Sequence, residues 1–136
     1  MKSKKNGLVR GLVLLAALLT ASTAVAGYRW NYPVTIDLAS STVTGSLGSA
    51  RNSANGTEWI GCGVTAQPTK LYAICYAQDA AGGRASCYAD GATSPSMVST
   101  IAALNGDGFV SFSWDANGNC TKVLVSARSY WDPKAP

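Results

Sequence analysis

The sequence of 136 residues contains no histidine. Histidine is the usual general base beside a serine or cysteine nucleophile and a frequent metal ligand. Its absence excludes Ser-His-Asp and Cys-His catalytic arrangements, and it removes imidazole from both proton transfer and metal binding. A glycine-rich phosphate loop between a strand and a helix is missing too. We therefore expect a protein with no cofactor and no bound metal, and we assign no catalytic residue.

Acidic residues are few. The chain has seven Asp and Glu residues, and Glu58 is the only glutamate. A glycosidase needs just two carboxylates, so Glu58 with one aspartate keeps a small hydrolase as a second alternative function. Most of the aspartates, however, lie in turn patterns, where Asp bonds to nearby backbone N–H groups. The segment Asp115–Asn119 is similar to part of a calcium loop, but it lacks the glycine and the glutamate of such a loop and therefore predicts a hairpin turn.

Excess positive charge is confined to the N-terminus. The formal net charge of the chain is +4, and this excess comes from Lys2, Lys4, Lys5 and Arg10. From residue 27 onward, seven basic residues balance seven acidic ones. That part has no cluster of Lys and Arg of the kind that nucleic-acid binding or polybasic attraction to a membrane requires. We expect no nucleic-acid partner.

The same basic residues open a secretory signal peptide over residues 1–26. An apolar core, Leu12–Leu19, and the small residues Ala24-Val25-Ala26 complete its three parts. The core is shorter than the roughly 20 residues of a membrane-spanning helix, which argues against an uncleaved anchor. We expect cleavage before Gly27, one exported domain over residues 27–136 that is periplasmic or extracellular, and no stable membrane anchor after cleavage.

Four cysteines, Cys62, Cys75, Cys87 and Cys120, follow the leader. An even number of cysteines in an exported chain predicts two disulfides, each stabilising the domain by about 2–4 kcal/mol. A metal site is the alternative, but the sequence has neither a CxxC pair nor a histidine to complete one. Three pairings are open. We favour Cys75–Cys87 with Cys62–Cys120, because the second bond would tie the last hairpin to the early strands.

Alternating apolar residues and turn signals predict a mainly β domain. The second strand should be bent or bulged, because glycines interrupt it. The expected strands before the helix cover residues 32–38, 41–51, 57–65, 71–78 and 84–89.

One segment predicts a short helix instead. Ser94 is a suitable N-cap, and Pro95 suits the first helical position, where the backbone N–H has no helical partner to lose. Asn105-Gly106 can end the helix. Its apolar face would consist of Met97, Val98, Ile101 and Leu104.

The last part of the chain predicts a β-hairpin. Apolar residues alternate with serines before Asn117-Gly118, which is typical of a two-residue type I′ turn. The turn would place Cys120 on the more polar face of the hairpin, near the surface or a strand end. The predicted cross-strand pairs are Val110 with Val125, Phe112 with Val123, Trp114 with Thr121, and Asp115 with Cys120.

Together the elements predict a single small antiparallel β-fold with two disulfides and one short capping helix. The three strands before the helix, the helix and the final hairpin follow the order of an OB barrel, with the two earliest strands as additions. A β-sandwich with a capping helix accounts for the same pattern, so both architectures stay open.

Aromatic residues supply the positive evidence for function. The chain has four Trp and six Tyr residues, all after the leader. Exposed rings on a β-surface can stack on sugars or anchor a protein partner, whereas rings in a small core only pack. We predict an exported, non-catalytic binding domain whose partner is a carbohydrate or an extracellular protein; the alternative is a proteinaceous inhibitor of an extracellular hydrolase. The candidate ligand-binding residues are Tyr28, Trp30, Trp59, Tyr72, Tyr76, Tyr130 and Trp131.

Three segments resemble small exported bacterial proteins of unassigned function: Ser49–Ala54, Ile60–Cys62 and Cys75–Ala80. The resemblance implies export. It transfers no binding or catalytic residue to this chain.

Overall fold

A computed structural model of the chain describes residues 28–133. The expected signal peptide, residues 1–26, lies outside the described residues. The described part is mainly β and contains two disulfide bonds, which confirms the general prediction. Its strands form two separate sheets and no closed barrel, so the OB-like barrel is unconfirmed. No helix within residues 28–133 has the length and apolar character needed to cross a membrane.

The two sheets are antiparallel and follow the strand orders β1-β2-β6-β7 and β3-β4-β5. A short helix, α1, follows β2, and a second helix, α2, separates the three-stranded sheet from the last hairpin. The elements are β1 Thr35–Asp37, β2 Thr42–Ser46, α1 Leu47–Arg51, β3 Trp59–Gln67, β4 Lys70–Gln78, β5 Arg84–Asp90, α2 Pro95–Ala102, β6 Phe109–Trp114 and β7 Cys120–Ser126.

The four-stranded sheet contributes the largest fully buried side chains. Val43 of β2 pairs with Phe112 of β6, and both of them, like Val110, are fully buried. Alternate residues of a strand face the same side, so this inner set meets the three-stranded sheet. The first strand is shorter than the predicted 32–38, since only Thr35–Asp37 pairs with β2.

The second half of the predicted strand over residues 41–51 is a helix instead. β2 ends at Ser46, whose hydroxyl caps α1 by accepting a hydrogen bond from the Ser49 N–H at 3.1 Å. Gly48 is buried against the C-terminal segment, where a Cβ would overlap the carbonyl oxygen of Asp132. The glycine that suggested a bulge therefore permits a close contact between this helix and the end of the chain.

Helix α2 confirms the predicted helix. It begins at Pro95, although the preceding Ser94 side chain makes no capping hydrogen bond. It ends at Ala102, before the predicted stop at Asn105-Gly106. The residues that face the core are those expected, with Val98 and Ile101 buried and Met97 and Leu104 partly buried.

The β6–β7 hairpin is confirmed, but its register changes near the turn. The predicted pairs Val110–Val125 and Phe112–Val123 are present. After a bulge at Ser113/Trp114, Trp114 pairs with Cys120, so the predicted partner Thr121 was wrong.

The conformation of the turn explains this shift. Gly118 has a φ of 79° while Asn117 is not in the positive region, so the two residues do not form a type I′ pair. The Asp115 N–H donates to the Asn119 carbonyl, and the Gly118 N–H donates to the Asp115 carbonyl, which gives a longer loop with a glycine bulge. A shift of one residue turns a side chain to the other face. Cys120 is accordingly buried, not on the polar face as predicted.

The disulfide bonds join Cys62 to Cys75 and Cys87 to Cys120, so the favoured pairing was wrong. Cys75 lies opposite Cys62 on one side and opposite Cys87 on the other. The Cα atoms of Cys62 and Cys75 are 4.0 Å apart, which fits a narrow, non-hydrogen-bonded pair. The backbone N–H and C=O of Cys75 therefore point towards β5. Cys75 and Cys87 thus form a wide, hydrogen-bonded pair. Cys87 instead reaches Cys120 of β7 and ties the two sheets together.

Candidate functional site

The outer face of the three-stranded sheet carries four aromatic rings. Residues of β3, β4 and β5 alternate between the core and this outer side. Trp59 begins β3, Tyr72 and Tyr76 lie on β4, and Tyr88 lies on β5. All four belong to the outer set, and we call them the aromatic face.

Trp59 and Tyr76 form the more open end of the aromatic face. Their ring centroids are 6.4 Å apart with the planes at 60°, and the two residues are 43% and 44% exposed. Gly61 lies opposite Tyr76 and has open space where a side chain would be. On the β5 side, the two rings border a shallow depression of about 260 Å³, with Arg84 and Ser86 among its other walls.

Tyr72 and Tyr88 form the other end. Their rings stack with centroids 5.5 Å apart and 29° between the planes. The Lys70 ammonium lies 5.8 Å and 5.2 Å from these centroids, and 3.9 Å from a carboxylate oxygen of Asp90. A hydrogen bond with Tyr88 is the main cause that raises the pKa of Lys70 above its ordinary value. Lys70 therefore stays positively charged at neutral pH beside the stacked rings.

A low strip of surface joins the two ring pairs. Tyr72 and Tyr76 are four residues apart on one strand, or about 13 Å. Ile74 lies between them, opposite Gly63 on β3 and opposite Tyr88 on β5. Gly63 has no atom within 4 Å of the position of a Cβ. No side chain of β3 therefore rises beside Ile74 to separate the two ring pairs.

Polar groups border the open end. The Arg84 Nε donates to the Gln78 side-chain carbonyl at 2.7 Å, and the Gln78 amide donates to the Thr57 carbonyl at 2.9 Å. This chain of hydrogen bonds positions the Arg84 side chain at the rim of the depression. Ser86 follows on the same face of β5 and is exposed. The rim thus offers hydrogen-bonding groups next to the two exposed rings.

A second group of rings lies where the chain ends meet, and we call it the terminal cluster. The Trp30 N–H donates to the Tyr130 carbonyl at 2.7 Å, and Tyr28 packs edge-on against Trp30. Trp131 is only 8% exposed and stacks on Phe109 with centroids 4.8 Å apart. Trp131 therefore packs as a core residue, while Tyr28 and Trp30 keep 71% and 46% of their surface exposed.

The candidate binding residues thus fall into two groups that do not share a surface. Sequence reasoning missed Tyr88, although a cross-strand register of Cys75 with Cys87 would place it on the outer face. The aromatic face holds the predicted Trp59, Tyr72 and Tyr76, and the terminal cluster holds the predicted Tyr28, Trp30, Tyr130 and Trp131.

Glu58, the carboxylate of the hydrolase alternative, takes part in a local structural network. Its Oε1 accepts a hydrogen bond from the Val34 N–H at 3.1 Å, and its Oε2 accepts one from the Asn55 amide at 2.9 Å. These bonds fasten the segment before β1 to the start of β3. Among residues 28–133, no three His, Cys, Asp or Glu side chains lie close enough together to hold a metal ion.

Two aspartates shape turns: Asp115, as the sequence predicts, and Asp37, which lies in the predicted strand 32–38 and ends β1. Asp37 accepts hydrogen bonds from the Ser40 hydroxyl at 2.7 Å and from nearby backbone N–H groups, which lower its pKa. Asp115 accepts hydrogen bonds from the backbone N–H of Asn119 at 2.9 Å and from the side-chain amide of Asn119. These hydrogen bonds lower the pKa of Asp115. Both carboxylates therefore stabilise their turns in the ionised form.

Comparison with known proteins gives no match on which a function could rest. No protein-family model, no curated protein and no solved structure matches it. The functional argument therefore rests on the aromatic face, which combines exposed rings, a flat strip and hydrogen-bonding groups at its rim. Such a surface can stack on an apolar ring face and hydrogen-bond to groups at its edge.

Proposed function

We propose that this is an exported, non-catalytic carbohydrate-binding domain and that the aromatic face is its binding surface. The observation that carries the proposal is the exposure of Trp59 and Tyr76 side by side on a rigid sheet. Aromatic rings are among the residues that contribute most when a surface binds a partner. Large rings that stay in water without a packing role need such an explanation more than scattered apolar residues do.

The chemistry of a sugar matches this surface. A pyranose ring presents C–H groups on its face and hydroxyl groups around its edge. Trp59 and Tyr76 offer rings for the first, and Arg84 and Ser86 offer hydrogen-bonding groups for the second. Of the second ring pair, Tyr72 lies about 13 Å along β4 from Tyr76, and Tyr88 lies nearer to Tyr76 because it is opposite Ile74. This spacing favours an extended oligosaccharide that contacts both ends over a single sugar.

Packing in the core explains only some of the aromatic residues of this chain. Phe112 is fully buried in the core, and Trp131 is nearly fully buried where the chain ends meet. Trp59 and Tyr76 remain close to half exposed. The two disulfides are typical of an oxidising compartment and support export, where glycans of an envelope or of a host surface are available.

A glycan array probed with the chain from Gly27, with both disulfides formed, tests the proposal. Trp59→Ala should weaken binding to the best glycan about tenfold, which corresponds to about 1.4 kcal/mol. Trp30→Ala is the matched control, because Trp30 is 46% exposed and Trp59 is 43% exposed. We expect the control to bind within twofold of the unchanged protein.

The other outcomes each lead to a different conclusion. A loss with Trp30→Ala but not with Trp59→Ala would move the site to the terminal cluster. An array without signal, together with inhibition of an extracellular hydrolase, would replace the proposal with the inhibitor function. Hydrolysis of a glycan that disappears in Glu58→Gln would favour the small hydrolase.

A further inference from the structure

Strand β3 is a free edge of its sheet. It spans Trp59–Gln67 and, within residues 28–133, pairs with β4 alone. It contains no charged residue and no proline, and its register with β4 runs without a bulge. Edge strands are usually short, charged, bulged or covered, because a bare edge pairs with other strands. β3 has none of these protections over residues 63–67, all of which are exposed.

The other edges of the two described sheets are protected. β1 is three residues long and ends in Asp37. β7 carries Lys122 near its middle and meets β6 through a bulge. The edge of β5 is covered by the β6–β7 turn, since the Tyr88 N–H donates to the Gly118 carbonyl at 3.0 Å. β3 therefore differs from the rest of the fold.

The outward-facing backbone groups of β3 belong to alternate residues. The narrow Cys62–Cys75 pair makes no backbone hydrogen bonds, so the N–H and C=O of Cys62 point away from β4. The same alternation turns the backbone groups of Val64 and Ala66 outward. The same alternation predicts that the Tyr88 N–H points away from β4. This agrees with its hydrogen bond to the Gly118 carbonyl.

We propose that two copies of this chain pair through β3, antiparallel, about a two-fold axis at Val64. In this register Val64 lies opposite Val64 of the second copy, and Cys62 lies opposite Ala66 of the second copy. Each such pair exchanges two backbone hydrogen bonds. The two three-stranded sheets then form one continuous sheet.

The strand is complementary to itself in this register. Every pair joins two uncharged residues, and Val64, which is 39% exposed, gains an apolar neighbour. Gly63 lies opposite Thr65 of the second copy and has open space around it, so no side chain blocks the approach. The balance of charges after residue 27 keeps repulsion between copies small.

A second copy is favoured over an extended peptide because both strands are already ordered. The Cys62–Cys75 bond fastens β3 to β4 in each copy, so pairing immobilises little additional chain. Paired residues of two strands point to the same side of a sheet. The aromatic faces of both copies would therefore lie on one side of the continuous sheet. Because the contact is one strand wide, we expect a weak, concentration-dependent dimer.

Analytical ultracentrifugation of the chain from Gly27 over a wide concentration series tests the pairing. The unchanged protein should shift towards twice the monomer mass as its concentration rises. Val64→Lys places two ammonium groups opposite each other across the axis and should weaken dimerisation at least tenfold. Leu124→Lys is the matched control, since Leu124 is 40% exposed on β7, and it should change dimerisation less than twofold. A protein that stays monomeric throughout, or equal effects of the two variants, would overturn the proposal.

Amide hydrogen exchange gives a readout that depends on the register. The amides of Cys62, Val64 and Ala66 should become protected as concentration rises. The amides of Gly63 and Thr65 already bond to β4 and should not change. Concentration-independent exchange of the first set would contradict the pairing. If the amides of Cys62, Val64 and Ala66 are protected in a monomer, and native mass spectrometry detects a peptide bound to it, the partner of β3 is a peptide and not a second copy. Neither result depends on glycan binding.

Discussion

Removing the two disulfide bonds one at a time should lower the free energy of unfolding by different amounts. Cys62 and Cys75 are 13 residues apart in the sequence, and Cys87 and Cys120 are 33 residues apart. A bond that closes a longer loop removes more conformational freedom from the unfolded chain. Loop closure contributes about 2.9 kcal/mol for the shorter loop and about 3.7 kcal/mol for the longer one at 25 °C.

The folded structure increases this difference. Cys62–Cys75 joins two strands that already pair along their whole length, whereas Cys87–Cys120 joins the two sheets. Cys87 and Cys120 are both buried, whereas in the other bond Cys75 is buried and Cys62 is half-buried. We expect the variant with alanine at positions 87 and 120 to be less stable than the variant with alanine at positions 62 and 75 by about 1 kcal/mol or more.

Urea unfolding of both double variants and of the unchanged protein, followed by tryptophan fluorescence, measures these free energies. Similar slopes with urea concentration are needed for the comparison, because a change in slope would indicate a change in the unfolded or folded state. A greater loss of stability in the Cys62/Cys75 variant would refute the reasoning.

The pairing itself can be read from an unreduced tryptic digest. Cleavage after Arg51, Lys70, Arg84 and Lys122 yields peptides 52–70, 71–84 and 85–122. The pairing in the structure links the first two peptides and leaves 85–122 closed on itself. Either of the other two pairings links all three peptides into one species.

Two further predictions concern the end of the chain and the turns. Gly48→Ala should displace the C-terminal segment, because the new Cβ overlaps the Asp132 carbonyl, and should lower the free energy of unfolding by about 1–3 kcal/mol. Gly61→Ala, with open space around its Cβ, should leave the urea midpoint nearly unchanged, and equal effects would contradict the contact. The lowered pKa of Asp37 and of Asp115 means that both carboxylates stabilise the fold above pH 3.8 and lose this contribution as pH falls through their folded values. A variant with Asp→Asn at both positions should therefore show a shallower loss of stability in acid, and an unchanged acid transition would contradict the assignment.

The parts of the fold that the sequence predicted depend on contacts between neighbours in the chain. Pro95 and the apolar spacing after it predicted α2, because helix capping and helix periodicity are local properties. The pairs Phe112–Val123 and Val110–Val125 followed from alternation across a short turn. The same alternation places Tyr72 and Tyr76 of β4 on one face.

The parts that the sequence missed depend on contacts between distant segments. Gly48 suggested a bent strand, and only its contact with Asp132, at the other end of the chain, explains why a helix packs there. The disulfide pairing required the register of three strands, since Cys75 lies opposite two other cysteines. Tyr88 joined the aromatic face through that same register.

By itself the sequence determined the mainly β composition, the charge balance and the absence of imidazole chemistry, because these follow from residue types and their local spacing. It also placed aromatic residues at alternating positions without distinguishing exposed rings from buried ones. Only the tertiary structure decided that Trp131 packs inward while Trp59 and Tyr76 stay in water. That difference arises because the two chain ends close over one ring, whereas the glycines of β3 leave the other two uncovered.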